Sequence, residues 1–225
     1  NTLNDKQEEA FNFLYKKLDS GYSTTLLEGI TGSGKTEVYF HLIAKILEKE
    51  EGQILLLLPE ISLTAQLLER FKSQFGFYPA VWHSQITTAK KRNLWKNIRE
   101  GNSRVIIGAR SALFLPYNKL SLIIVDEEHD SSFKQTENGV YNARDMAIVR
   151  ANINQIPIIL SSATPSLETL INVENGKYDR VYLPSRYGEA ILPDIEIVDL
   201  KKEKLRKDKY ISKFLKEEIL KTIKN

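Results

Sequence analysis

Cysteine is absent from the 225 residues, which excludes disulfides and thiolate metal sites and removes any argument for secretion. Long apolar runs are missing too. The longest, such as Ile54–Leu58, fall far short of the roughly 20 residues that cross a bilayer, so no membrane role is expected. Residues 1–20 form an amphipathic polar mixture, not a secretory leader. An initiating methionine is lacking, as expected of a piece cut from a longer protein or of a processed N-terminus. Net positive charge is lacking over most of the chain. The net charge is +3, but residues 201–225 hold ten Lys/Arg against four Asp/Glu, which leaves residues 1–200 at −3. A nucleic-acid role therefore cannot rest on overall charge, and the basic tail reads as a solvated helix and linker.

What is present is an alternation of short apolar runs and amphipathic stretches. Strands are expected at Thr24–Glu28, Ile54–Leu58, Ala80–Trp82, Arg104–Ile107, Leu122–Val125, Ile158–Leu160 and Arg180–Leu183. Helices are expected from Asn4 to Leu18, over Thr36–Glu50, after a Ser62 cap, over Thr88–Glu100, Ala143–Ile153 and Ser166–Val173, and over Ile211–Ile223. Runs such as Ile-Leu-Leu-Leu-Leu lack polar alternation and suit strands buried on both faces. The pattern predicts an α/β fold with a mostly parallel sheet and helices on both faces. Residues 1–184 would form one lobe. Residues 185–225 would hold a linker, Ser185–Pro193, and the start of a second lobe, with one more strand at Ile195–Leu200.

Gly29-Ile-Thr-Gly-Ser-Gly-Lys-Thr36 matches the phosphate-loop pattern and lies between an expected strand and helix. Backbone N–H groups around Gly32, Ser33 and Gly34 would cradle phosphates at a helix N-terminus. Lys35 would reach the β- and γ-phosphates of ATP, and Thr36 would ligate Mg²⁺. Such a site needs a second acid at a neighbouring strand end. Asp126, after the apolar run Leu122–Val125, fits that role. Glu127 is placed to orient or deprotonate water. Glu128 has no chemical role derivable from the sequence.

Several segments then line up in one order: Leu3-Asn-Asp-Lys-Gln7, Gly29–Thr36, Pro59-Glu-Ile-Ser-Leu-Thr64, Trp82-His-Ser84, Gly108-Ala-Arg-Ser-Ala-Leu-Phe114, Asp126-Glu-Glu-His-Asp130, Tyr141-Asn-Ala-Arg-Asp145 and Ser161-Ser-Ala-Thr-Pro-Ser-Leu-Glu-Thr169. Together they resemble superfamily 2 helicases and, more narrowly, the bacterial replication-restart helicases. The resemblance implies the first of two RecA-like lobes, with ATP bound between lobes and DNA lying across both. Gln7 would then read the adenine edge; on residues alone it is equally the capping partner of Asn4. His129, otherwise a surface histidine, would link hydrolysis to movement. Ser162 and Thr164 would sense the γ-phosphate, although a strand-end turn with a Ser166 helix cap explains them as well. Asn142, Ala109 and Ser161 stand where histidine, threonine and glycine are usual.

His83, Ser84, Arg110 and Ser111 follow expected strands and should share one rim, with Pro59, Glu60 and Thr64 beside them. In related helicases this rim holds the backbone of a single strand, for which hydroxyls and an arginine are suited. The stretch Phe133–Arg144 resembles an aromatic-rich DNA-sensing loop, with Phe133, Tyr141 and Arg144 as DNA contacts. By resemblance the intact protein would be a cytoplasmic, nucleoid-associated 3′-to-5′ helicase acting on forked or single-stranded DNA in replication restart. Restart and primosome proteins and single-stranded DNA-binding protein would be its partners. The rival readings are another superfamily 2 repair or restriction translocase, and a nucleotide-gated DNA-binding or loading platform.

Overall fold

The computed structural model describes residues 2–49, 52–136, 139–186, 195–200 and 210–224. The chain divides into two compact units, Asn1–Gly188 and Glu189–Asn225.

The first unit opens with helix α1 (Asp5–Lys17) and strand β1 (Ser23–Gly29). Next come α2 (Lys35–Glu48), β2 (Gln53–Leu57), α3 (Ala65–Phe75), β3 (Ala80–Trp82), α4 (Thr88–Arg99), β4 (Val105–Gly108) and β5 (Leu120–Asp126). A two-strand ribbon, β6 (Lys134–Gln135) and β7 (Tyr141–Asn142), leads into α5 (Ala143–Asn154), followed by β8 (Pro157–Ser162), α6 (Leu167–Glu174) and β9 (Asp179–Leu183). Among the described residues, seven strands form one sheet in the order β3-β4-β2-β5-β8-β1-β9. Every neighbouring pair in it is parallel. All seven carboxyl ends therefore open on one edge, where ligands of such sheets collect.

Side-chain alternation divides the core between two faces. Ile54, Leu56, Leu122 and Ile124 pack with Ala10 and Leu14 of α1, with α2 and with Phe71 of α3. Leu55, Leu57, Ile123 and Val125 face the other way, toward Ile98 of α4 and Ala143, Ala147 and Ala151 of α5. Both faces being covered explains the unbroken apolar strands. Phe40 of α2 meets Phe71 edge-on at 5.7 Å, which seats α3 beside the start of α2.

The expected elements appear with ends shifted by a residue or two, with three differences. Thr64, not Ser62, caps α3: its side chain accepts the Leu67 N–H, while Ser62 ends a 3₁₀ turn, Glu60–Ser62. The β6–β7 ribbon had no sequence signal. In the second unit, Ile195–Leu200 forms no strand; a strand needs a paired neighbour, and none borders it among the described residues. The basic tail does form helix α7 (Lys213–Lys224). Of the expected linker and start of a second lobe, residues 185–225, positions 187–194, 201–209 and 225 lie outside the described residues.

Candidate functional site

β1 ends at Gly29, where the chain passes so close to its neighbours that a Cβ would stand 2.5 Å from Ser33 Oγ and 2.9 Å from Leu183 Cβ. Only glycine fits there. Gly34 sits at φ +85° as the N-cap of α2 and offers no capping side chain. The first-turn N–H groups of that helix are thus left for an anion. Ser33 Oγ is buried without a partner. Lys35 is 8 % exposed and its Nζ donates to the Gly29 carbonyl at 2.7 Å. Burial lowers its pKa, while the nearby Glu127 and Asp126 carboxylates raise it.

Two strands away, Asp126 closes β5 opposite Ser161 of β8. Its Oδ1 accepts from Ser161 Oγ at 2.6 Å and from the Glu127 N–H at 3.1 Å. Its Oδ2 accepts from the Tyr39 hydroxyl at 2.9 Å, which lies 3.4 Å from Thr36 Oγ1. Tyr39 thus ties both candidate Mg²⁺ ligands together, and burial raises its own pKa well above the ordinary value. Tyr39 was not singled out from the sequence; the available signal was a hydroxyl three residues beyond Thr36, on the same side of the helix. Glu127 sits at φ +50°, a left-handed backbone that costs a non-glycine residue roughly 1–2 kcal/mol. Burial, and then the Asp126 charge, raise its pKa. Thr31, Gly32, Gly34, Lys35, Thr36, Asp126 and Glu127 line one cavity of about 420 Å³, together with Glu37 and Arg70. Arg70, unremarked in the sequence, is held there by an ion pair to Glu37.

His129 Nδ1 lies 2.7 Å from Ser162 Oγ and 3.6 Å from the Glu127 carboxylate. The Thr164 N–H donates to the same Ser162 oxygen at 3.0 Å, leaving the Thr164 side chain exposed. Gln7 is buried near the phosphate loop, but not along the cavity wall. It forms the reciprocal capping box with Asn4 and donates from Nε2 to the Ser33 carbonyl at 3.0 Å.

On the same sheet edge, Ser84 donates from both its hydroxyl and its N–H to the Glu60 carboxylate. Arg110 Nη1 donates to the carbonyls of Ser132 (3.2 Å) and Lys134 (2.8 Å). Ser111 is exposed, and His83 Nδ1 accepts the Gln85 N–H at 3.3 Å. Tyr141 meets Phe114 edge-on at 5.3 Å. Two residues expected to touch DNA are interior instead. Phe133 is 1 % exposed and Arg144 6 %. The ring of Phe133 belongs to the core face shared with α5, and the Arg144 guanidinium neutralises Glu128, itself fully buried, at 3.1 Å. Neither surface is available to a nucleic acid in this arrangement.

Residues 4–173 match the model of the DEAD/DEAH box helicase family. Over 223 residues the chain is 48 % identical to replication restart protein PriA of Rickettsia felis, covering 99 % of this chain and 34 % of that protein. Over 202 residues it is 43 % identical to PriA of Bacillus subtilis, covering 89 % and 25 %. The chain thus spans about a third or less of the length of these relatives. Among solved structures, RecG bound to a three-way DNA junction aligns with TM-score 0.61 at 21 % identity, over 84 % of this chain and 24 % of that one. The Pyrococcus furiosus Hef helicase domain aligns with TM-score 0.54 at 21 % identity, over 78 % and 37 %. At such identities the likeness is one of fold, that of RecA-like helicase domains.

Proposed function

This chain belongs to the DEAD/DEAH box helicase family, and on that footing we propose that it is the ATP-binding motor lobe of a 3′-to-5′ DNA helicase acting in restart of stalled replication forks and in primosome assembly. The observation that carries the reading is the convergence of Lys35, Thr36, Asp126 and Glu127 on one cavity. Those residues fit a nucleoside triphosphate with Mg²⁺. The cradle is made by glycines at φ +81° and +85° and by an uncapped helix N-terminus. Among the described residues no group of three or more His, Cys, Asp or Glu could hold a metal. A lone carboxylate and a hydroxyl suit a magnesium ion that is completed by phosphate oxygens and water.

Lys35 leaves the Gly29 carbonyl to meet the terminal phosphates. Thr36 and Asp126 would hold Mg²⁺, kept in register by Tyr39 and Ser161, and the ion would supply neutralisation of charge on the phosphates. Glu127 accepts the proton of the attacking water, and burial raises its basicity toward that task. His129 and Ser162 join the acid's strand end to the β8 turn. On the neighbouring rim, Ser84, Arg110, Ser111 and His83 meet the sugar-phosphate backbone of one DNA strand, with Tyr141 beside them. The second lobe begins in residues 189–225. Forked or single-stranded DNA, restart and primosome proteins and single-stranded DNA-binding protein are the partners this reading assigns, in the bacterial cytoplasm at the nucleoid.

ATP hydrolysis by the full-length protein with forked, single-stranded and no DNA tests the assignment, alongside Glu127→Gln. We expect stimulation by DNA. We also expect the variant to bind nucleotide normally while losing at least about 100-fold in turnover. Hydrolysis at the wild-type rate by Glu127→Gln, or indifference to DNA, would overturn it.

A further inference from the structure

Glu128 is absent from the walls of the nucleotide cavity and is 1 % exposed. Its Oε1 accepts the Ser166 N–H at 2.7 Å. Its Oε2 accepts from Arg144 Nη1, Ser166 Oγ and Thr169 Oγ1, each at 3.1 Å. Arg144 Nη1 also donates to Ser166 Oγ at 2.6 Å, and its Nε to Asp145 at 2.8 Å. Burying a carboxylate is tolerable only with such a full set of partners.

The position of this cluster matters as much as its bonds. Glu128 directly follows Glu127, whose left-handed backbone persists only where its surroundings over-determine it. The Glu127 N–H is held by Asp126 Oδ1 at 3.1 Å and its carbonyl by the Asp130 N–H at 2.8 Å; the next fixed points along the chain are the Glu128 N–H on the Ser161 carbonyl at 3.1 Å and the Glu128 carboxylate itself. Arg144 lies at the far end of the segment that begins at His129, in the first turn of α5. Ser166 caps α6, just past Ser162 and Thr164. Three segments that border the nucleotide cavity and the DNA rim are thus pinned to one carboxylate.

We propose that Glu128 and Arg144, closed by Ser166 and Thr169, are positioning residues: the buried pair sets the backbone of Glu127, and with it the aim of the Glu127 carboxylate, without touching nucleotide. The proposal rests on the reading of Glu127 as the water-activating acid. It makes turnover, and not nucleotide affinity, depend on the pair.

The test uses the full-length protein carrying Glu128→Gln, Arg144→Met, Arg144→Lys or the double change Glu128→Gln/Arg144→Met, which removes both buried charges and so protects folding. Binding of a fluorescent ATP analogue, KM and kcat at saturating DNA, and melting temperature are measured. For Glu128→Gln, Arg144→Met and the double variant we expect kcat at least tenfold lower, with analogue affinity and KM within twofold of wild type. Arg144→Lys should recover part of the loss. A folded variant with wild-type kcat overturns the proposal. Nucleotide binding and turnover falling by the same factor as the melting temperature drops also overturns it, because the pair is then structural alone. Glu127→Gln, run in parallel, separates the two readings. If it hydrolyses normally, the assignment of Glu127 fails. If it is inactive while the Glu128 and Arg144 variants keep their kcat, only the positioning role fails.

Discussion

Asp126 owes its orientation to two hydroxyls from different elements, Tyr39 on α2 and Ser161 on β8. Groups that orient a metal-binding carboxylate change metal affinity by about 10–100-fold when removed. Tyr39→Phe is therefore expected to raise the Mg²⁺ concentration for half-maximal ATP hydrolysis about tenfold, while nucleotide affinity measured without metal stays near wild type. A magnesium titration of the ATPase checks it. That Lys35, Thr36, Asp126 and Glu127 would meet at one cavity was legible from the sequence, because the spacing of the phosphate loop and acids at a strand end mark them without any tertiary knowledge. Tyr39 and Glu128 were not, since their partners lie 87 and 38 residues away along the chain. Phe133 and Arg144 were misplaced for a related reason. An arginine in a stretch resembling a DNA-sensing loop looks like a surface cation until the fold buries Glu128, 16 residues earlier, against it.

Strands and helices followed from apolar spacing because both sheet faces are covered, so uninterrupted runs could mean little else. Short features escaped. A ribbon of two residues a side has no periodicity to read, and the choice between Ser62 and Thr64 as a helix cap depends on a 3₁₀ turn that composition does not announce. That choice is open to test. Loss of an N-cap hydroxyl costs about 1 kcal/mol, a factor of about five in a local opening equilibrium. Thr64→Ala should speed amide hydrogen exchange in the first turn of α3 by about that factor, whereas Ser62→Ala should leave it unchanged. The reverse pattern would return the cap to Ser62. Gln7 forms the capping box expected of it, and the same side chain braces the phosphate loop through the Ser33 carbonyl, a contact that no local pattern announces.

The whole chain corresponds to about a third or less of the PriA proteins it matches, and its first 200 residues carry a net charge of −3. Little long-range attraction draws DNA to this lobe. Residues 1–225 alone are therefore expected to bind ATP weakly and to release phosphate slowly, with no acceleration by single-stranded DNA. Steady-state phosphate release with and without DNA measures this, and strong DNA-stimulated turnover by the isolated lobe would refute it. The order of strands also governs how the molecule comes into being. β2, β4 and β5 find each other within a span that starts at Gln53 and ends at Val125. The strand that presents the phosphate loop has its partners far downstream: Ser23 faces Pro157 and Thr25 faces Asp179. At synthesis rates of about 5–20 residues per second, β1 waits roughly 8–30 s for both neighbours to leave the ribosome. The nucleotide pocket is thus among the last parts of the lobe to be assembled, and a nascent chain halted before Leu183 holds its phosphate loop on a strand with one side unzipped.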